Sequence, residues 1–208
     1  MVLQKYRESC IVLCGNRLHI IIFYFLENYK YRMIDKQHSS RPIDVVVALQ
    51  LTITPEAIYA ALAESVGVSI SEAHSSVSRL KLAALLRPEK RAVATSSLID
   101  FLKYGLRHVF PPQFGPQAVG VPTAHSAPLL SRRLASTEPI VWPHAEGTLV
   151  GMSLIPLCSS APEFVESNPP LYELLTLVDS LRIGQSLERG LAEQGLREKF
   201  EATGGKLR

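Results

Sequence analysis

The hydroxyls of Ser69, Ser71, Ser75 and Ser78, the imidazole of His74 and the cations of Arg79 and Lys81 fall within one short stretch of sequence. Arg87, Lys90 and Arg91 come closely after it. These groups do not make up a nucleophile with its base and an orienting carboxylate. They are the groups that hydrogen-bond phosphate oxygens and base edges: hydroxyls and backbone amides hold phosphate, and a guanidinium such as that of Arg79 suits guanine. His74, Ser75 and Arg79 are the candidates for base edges.

Two helices joined by a tight turn must position this set. Thr54 suits an N-cap, Pro55 the first helical position, and Glu56 the first turn, where a carboxylate favours the helix dipole. Ile58, Ala61, Leu62 and Val66 recur at helical spacing, and Gly67 ends that helix where a left-handed residue costs little. Ser69 or Ser71 caps a second helix over residues 69–85, with Ala73, Val77, Leu80 and Ala84 on its apolar side. Ala63 permits close approach of the two helices, and Val68 plugs the corner between them.

The words ALAESVGVSISEAHSSVSRLKLAALL resemble the DNA-reading segment of bacterial winged-helix regulators of the GntR and MarR type. That resemblance covers about thirty residues well and about eighty loosely, and implies a helix-turn-helix whose second helix enters the major groove. A winged helix also needs two strands after Leu86. Only residues 87–93 are available, so the wing is expected to be short or absent. The phrases FLKYGLRHVFPP, GVPTAHSAPLL, VWPHAEG and PLYELLTLVDSLRIG look like the region C-terminal to the helix-turn-helix in uncharacterised bacterial regulator-like proteins. This second resemblance implies a recurrent architecture and carries no binding residue.

Charge distribution says where phosphates would lie. The net charge of +3 is concentrated in residues 1–32, which alone carry +3, so the rest of the chain is neutral overall. Within that rest, residues 33–78 carry −3 and residues 79–107 carry +5. Positive charge therefore gathers from the end of the second helix onward. The helix itself is only modestly basic, which implies weak binding by one copy and a homodimer on two half-sites.

The 208 residues, 47% of them apolar, suffice for a sizeable core and one or two domains. Cys10, Cys14 and Cys158 are too few and too scattered for a disulfide framework or a four-ligand zinc site, so no metal or other cofactor is expected and a cytoplasmic setting fits. A site shared by Cys10, Cys14 and a histidine lacks the usual ligand spacing. The apolar run Leu18–Leu26 is about half the length of a membrane span, so no membrane partner is expected. It reads either as a strand or short helix capping the domain or, as preferred here, as part of an upstream stretch before a natural start at Met33.

Residues 42–51 suit a first helix buried on most sides, packed across the next two. Residues 97–110 read as an amphipathic helix with Leu98, Phe101, Leu102, Leu106 and Phe110 inward, stopped by Pro111 and Pro112. Prolines 116, 122, 128, 139 and 143 exclude a long helix beyond, while Phe114, Val119, Val121, Leu129, Leu130 and Trp142 argue for an ordered arm over a free linker. Residues 147–154 alternate as a strand paired near Ile140, Val141 and Trp142. His125 lies beside Thr123 and Ser126, and His108, His125 and His144 could converge. With no nucleophile-elbow, phosphate-loop or HExxH pattern, an enzyme is not expected, and residues 123–126 read as a turn hydrogen-bonded to the domain. Leu171, Leu174, Leu175, Val178 and Leu181 mark a helix broken near Gly184. A charged helix then runs through Leu187, Leu191 and Leu196, with a disordered tail from Ala202.

The expected fold is thus mainly α. Residues 1–32 form an N-terminal extension and 33–112 a trihelical helix-turn-helix domain. Residues 113–160 form a Pro/Gly-rich arm with little β, and 161–208 hold C-terminal helices that pair between subunits. The expected function is sequence-specific binding of double-stranded DNA in transcription regulation. An antitoxin-like or scaffold protein, using the same fold to hold a partner protein, is the alternative.

Overall fold

Pro42 presets the first turn of a helix and Asp44 accepts the Arg41 amide at 2.8 Å, so the apolar run after them coils as α1 (Pro42–Ile53). Residues 44–52 of α1 are all buried, as expected for a helix packed on most sides. The structure, a computed structural model, describes residues 39–87, 91–134 and 138–203. The readings made for residues 1–32, Cys10, Cys14, Lys90 and the tail from 204 onward lie outside the described residues. Ser40–Arg208 makes one unit around a single core.

α2 (Tyr59–Val66) ends at Gly67, whose φ of +70° lies in the left-handed region, where a side chain costs energy. A Cβ there would also come within 3.1 Å of the Ser160 hydroxyl oxygen. The Val68 amide donates back to Ala63, closing the helix end at 2.9 Å. α3 (Ile70–Leu82) starts from Ser69, whose hydroxyl accepts the Glu72 amide at 3.1 Å. It ends three residues before the expected limit, because Ala84 turns left-handed at φ 56°. Leu85 then donates to the Leu80 carbonyl. Beyond it Leu86 and Val93 form one antiparallel bridge, with Arg87 donating to Ala92 and Ala94 to Leu85. The chain after α3 therefore makes only a short two-stranded excursion.

The amphipathic helix expected over 97–110 runs as α4 (Thr95–Asp100), a π-helical turn (Phe101–Gly105) and α5 (Leu106–Val109). The proline-rich region is more β than expected. β1 (Phe114–Pro122) pairs antiparallel with both β2 (Ile140–Pro143) and β3 (Leu149–Leu154), and β2 pairs parallel with β3, so three strands close on themselves. Val121 faces Trp142, Val119 faces Val150, and Ile140 faces Met152. The expected pairing of 147–154 near Ile140–Trp142 is present. Gly120 allows the close approach of β1 to β2, since a Cβ there would sit 2.1 Å from the Trp142 carbonyl oxygen. A 3-10 turn (Ala124–Ser126) and α6 (Pro128–Ser131) connect β1 to β2.

The chain closes with a 3-10 turn (Ala161–Glu163), α7 (Phe164–Ser167), α8 (Pro169–Ile183) and α9 (Ser186–Ala202). Leu171 through Arg182 of α8 are buried apart from Glu173, so α8 is the central rod of the molecule. Asn168 fixes its start, donating to Gln50 of α1 at 2.9 Å and to the Ser65 carbonyl of α2 at 3.2 Å. Asp179, also buried, accepts from Trp142 at 2.7 Å, Thr123 at 3.0 Å and Arg182 at 2.7 Å. Burial pushes the Asp179 carboxyl up from its ordinary value, while Arg182, Trp142 and Thr123 oppose that shift by favouring the carboxylate. Tyr172 donates to the Pro122 carbonyl at 2.8 Å, and burial pushes its hydroxyl up to about 12. α9 lays Ala192, Leu196 and Phe200 against α8. Helix pairing between subunits was expected of residues 161–208. Within its own chain α8 is buried on nearly every side, because its apolar residues run all round the rod and not along one stripe, whereas α9 keeps one side exposed.

Candidate functional site

α1 and α2 support α3 from behind and leave its other side in solvent. Ser71, His74, Ser75, Ser78 and Lys81 are exposed along that side, and Ser69 stands at its start. The Ser69 hydroxyl is engaged as the helix cap, and Ser78 donates to the His74 carbonyl at 3.1 Å. His74 does not stand free: its ring stacks on Tyr59 at 3.4 Å between centroids and 19° between planes. The Arg91 guanidinium lies over the same Tyr59 ring at 4.6 Å from its centroid. Tyr59, the first residue of α2, thus gathers one side chain from α3 and one from the strand-like return after it. Its position at a helix start gave no sequence signal for this role. The Nη1 of Arg91 is buried with no hydrogen-bond partner, while Arg87 is exposed. Lys90 is outside the described residues.

Arg79 is where the sequence reading requires correction. Its side chain is only 6% exposed and cannot reach a base edge. The guanidinium turns inward to Asp44, with Nε at 2.9 Å from Oδ2 and Nη2 at 2.7 Å from Oδ1. Nη2 also donates to Glu72 at 2.7 Å, and Ser76 donates to Asp44 at 2.7 Å. The hydrogen bond to Asp44 is the largest influence raising the Arg79 pKa, ahead of Glu72, against the opposing effect of burial. The physical reason lies on α1: Asp44 is a carboxylate inside an apolar helix, and a buried charge needs a partner. A lone Asp in the run Ile43–Leu51 was the signal that could have assigned Arg79 this role. Glu72 is shared with Arg41, whose Nη1 lies 3.3 Å away, so the only acidic side chain on α3 is neutralised locally. A cavity of about 310 Å³ lies behind this pair, lined by Asp44, Arg79, Leu80, Phe101 and Phe110 among others.

The hydroxyls beside His125 serve the fold. Thr123 donates to Asp179, and the Ser126 hydroxyl accepts the Ile140 amide at 2.9 Å. His125 places Nε2 at 3.0 Å from the Glu138 carbonyl and Nδ1 at 3.6 Å from a Glu188 oxygen. Residues 123–126 are thus a turn tied to the domain, as expected. Among the described residues no three His, Cys, Asp or Glu side chains are grouped so as to hold a metal ion, and no helix is long and apolar enough to cross a membrane.

The arrangement therefore offers a helix held rigidly from its inner side, with hydroxyl, imidazole and ammonium groups outward and a cation-bearing return beside it. Comparison with known protein families, with curated proteins and with solved structures finds no match to this chain.

Proposed function

We propose that the chain binds double-stranded DNA and regulates transcription, using α2, the turn at 67–69 and α3 as a helix-turn-helix with α1 as its third helix. The observation that carries this reading is the solvent side of α3. It is free of unpaired acid, rich in short polar side chains, and backed by the Asp44–Arg79 anchor. A helix of ordinary diameter fits the major groove, about 12 Å wide, and short side chains let its backbone approach the bases. His74 and Ser75 are the base-edge readers in this reading, with Ser71, Ser78, Lys81 and Arg87 on phosphates. The unpaired Arg91 Nη1 is a donor that a phosphate oxygen would satisfy once the return shifts toward the duplex. Arg79 acts by fixing the pose of α3.

The test is fluorescence anisotropy on duplexes selected by the protein from a random pool, at two salt concentrations. Lys81→Ala and Arg87→Ala should each weaken binding across sequences and reduce the salt slope by about 1. His74→Ala should change which duplexes are selected. Binding that ignores all three substitutions, or an empty selection, overturns the reading.

The partner-protein reading has one observation in its favour: Ile58, Ile70 and Leu82 expose apolar side chains on the same pair of helices, by 67%, 52% and 60%. If a protein docks there, Ile70→Glu abolishes its capture, and DNA selection is empty for the wild type as well.

A further inference from the structure

The cavity of about 310 Å³ behind the Asp44–Arg79 pair lies between α1, the end of α3 and the helical stretch from α4 to α5. Most of its wall is apolar, with Leu80 from α3, Leu98 from α4, Phe101 from the π-helical turn and Phe110 just after α5. Ala83 and Ser97 are exposed at its edge, where it opens to solvent. A volume of this order is enough for a small ligand.

The polar end of the cavity is one-sided. Asp44 has no acceptor capacity to spare, because its two oxygens already take the Ser76 hydroxyl, the Arg41 amide, and Nε and Nη2 of Arg79. Arg79 spends Nε and Nη2 on Asp44 and Glu72, but its Nη1 has no hydrogen-bond partner among the described residues, although the side chain is almost wholly buried. Arg41, half-exposed at the mouth, uses Nη1 on Glu72 and leaves Nε and Nη2 unpaired among the described residues. The two guanidinium groups therefore offer donors, and the one carboxylate in the wall offers no free lone pair.

We infer that this cavity binds a small molecule with an apolar body and a carboxylate head, the head on Arg79 Nη1 and Arg41 and the body against Leu98, Phe101 and Phe110. A carboxylate accepts from guanidinium in charge-assisted hydrogen bonds, whereas an amine head would meet two like charges. A plain hydrocarbon would enclose the Nη1 donor without an acceptor. The site rests on the cavity alone and does not depend on DNA binding.

Isothermal titration calorimetry of the full chain with 2-naphthoate and with octanoate, each against its own primary amide, tests it. At least one of the two acids binds with Kd below about 1 mM and at least about fivefold more tightly than its amide. Arg41→Gln, at a half-exposed side chain, removes the preference for acid over amide. Ala83→Trp, at an exposed position, fills the mouth and abolishes binding, while the far-UV circular dichroism stays that of the wild type. In the wild type the bound acid shows nuclear Overhauser effects to the methyl groups of Leu80 and Leu98, a readout that needs neither variant to fold. No binding of either acid, an acid bound no better than its amide, binding indifferent to both substitutions, or Overhauser effects confined to other residues overturns the inference. None of those outcomes bears on whether the chain selects DNA.

Discussion

Removing the Arg79 guanidinium strands the Asp44 carboxylate among apolar side chains with only Ser76 and the Arg41 amide as donors. Arg79→Ala is therefore expected to cost about 2–4 kcal/mol in urea unfolding, the lower part of the range for a broken buried pair because Glu72 beside it is partly solvated. The double variant Asp44→Leu/Arg79→Met should recover most of that loss, since replacing both charges removes the desolvation cost together with the attraction. Additive losses would show that the two side chains do not act as a pair. Cys158 gives a second residue-level test. Burial pushes its thiol up, only partly offset by hydrogen bonding to Ser160. A raised pKa means less thiolate at a given pH, so Cys158 should alkylate with iodoacetamide at least about tenfold more slowly in the folded chain than in urea at pH 8, read by peptide mapping. These residues also show the limit of what was legible. Spacing placed Arg79 off the apolar stripe of α3, correctly, but a long side chain can reach back over the stripe to a distant acid. That Asp44 lay within reach, 35 residues earlier in the chain, is a tertiary fact.

Several helix ends were legible because their chemistry is local, but the start of α2 was not: Thr54, Pro55 and Glu56 were expected to open it, and they form a turn before a helix that begins at Tyr59. Gly67, Ser69, Pro42, Pro111 and Gly184 each bound a helix where the sequence put a boundary. Gly67→Ala should cost about 1–2 kcal/mol from its left-handed backbone, with further loss from crowding at Ser160. Ser69→Ala should cost about 1 kcal/mol by freeing the Glu72 amide. Thermal unfolding measures both. A Gly67→Ala variant as stable as the wild type would mean that the turn adopts another geometry. β1 was not legible in the same way. Its prolines and glycines argue against a strand by propensity, and its stabilisation comes from two partners distant in sequence, β2 and β3. The π-helical turn at 101–105 likewise has no local signature in an otherwise regular apolar stripe.

At the scale of the molecule, the arm and the C-terminal helices are not attachments to a separate small domain. Trp142 of β2 bonds Asp179 of α8 and sets its ring edge-on to Tyr172, with 5.9 Å between ring centroids. Asn168 at the start of the same helix holds α1 and α2. The fluorescence of Trp142, the one tryptophan of the chain, should therefore change in the same urea transition as the helical circular dichroism. Two separated midpoints would show that the arm unfolds by itself. The sequence indicated an ordered arm through its apolar residues but could not show what they rest on, because the acceptor for the indole is a carboxylate 37 residues further on.

The late position of α8 has a bearing on how the chain is made. Helices α1 to α3 leave the ribosome well before residues 169–183 exist, and until then the side of α1 that packs on that rod faces water. Completion of the interior must wait for nearly the whole described chain, so nascent copies pass through a stage that chaperones would bind. Ribosome-stalled chains ending before Pro169 should accordingly be digested by protease throughout 42–134, whereas stalled chains that have released Ile183 should resist.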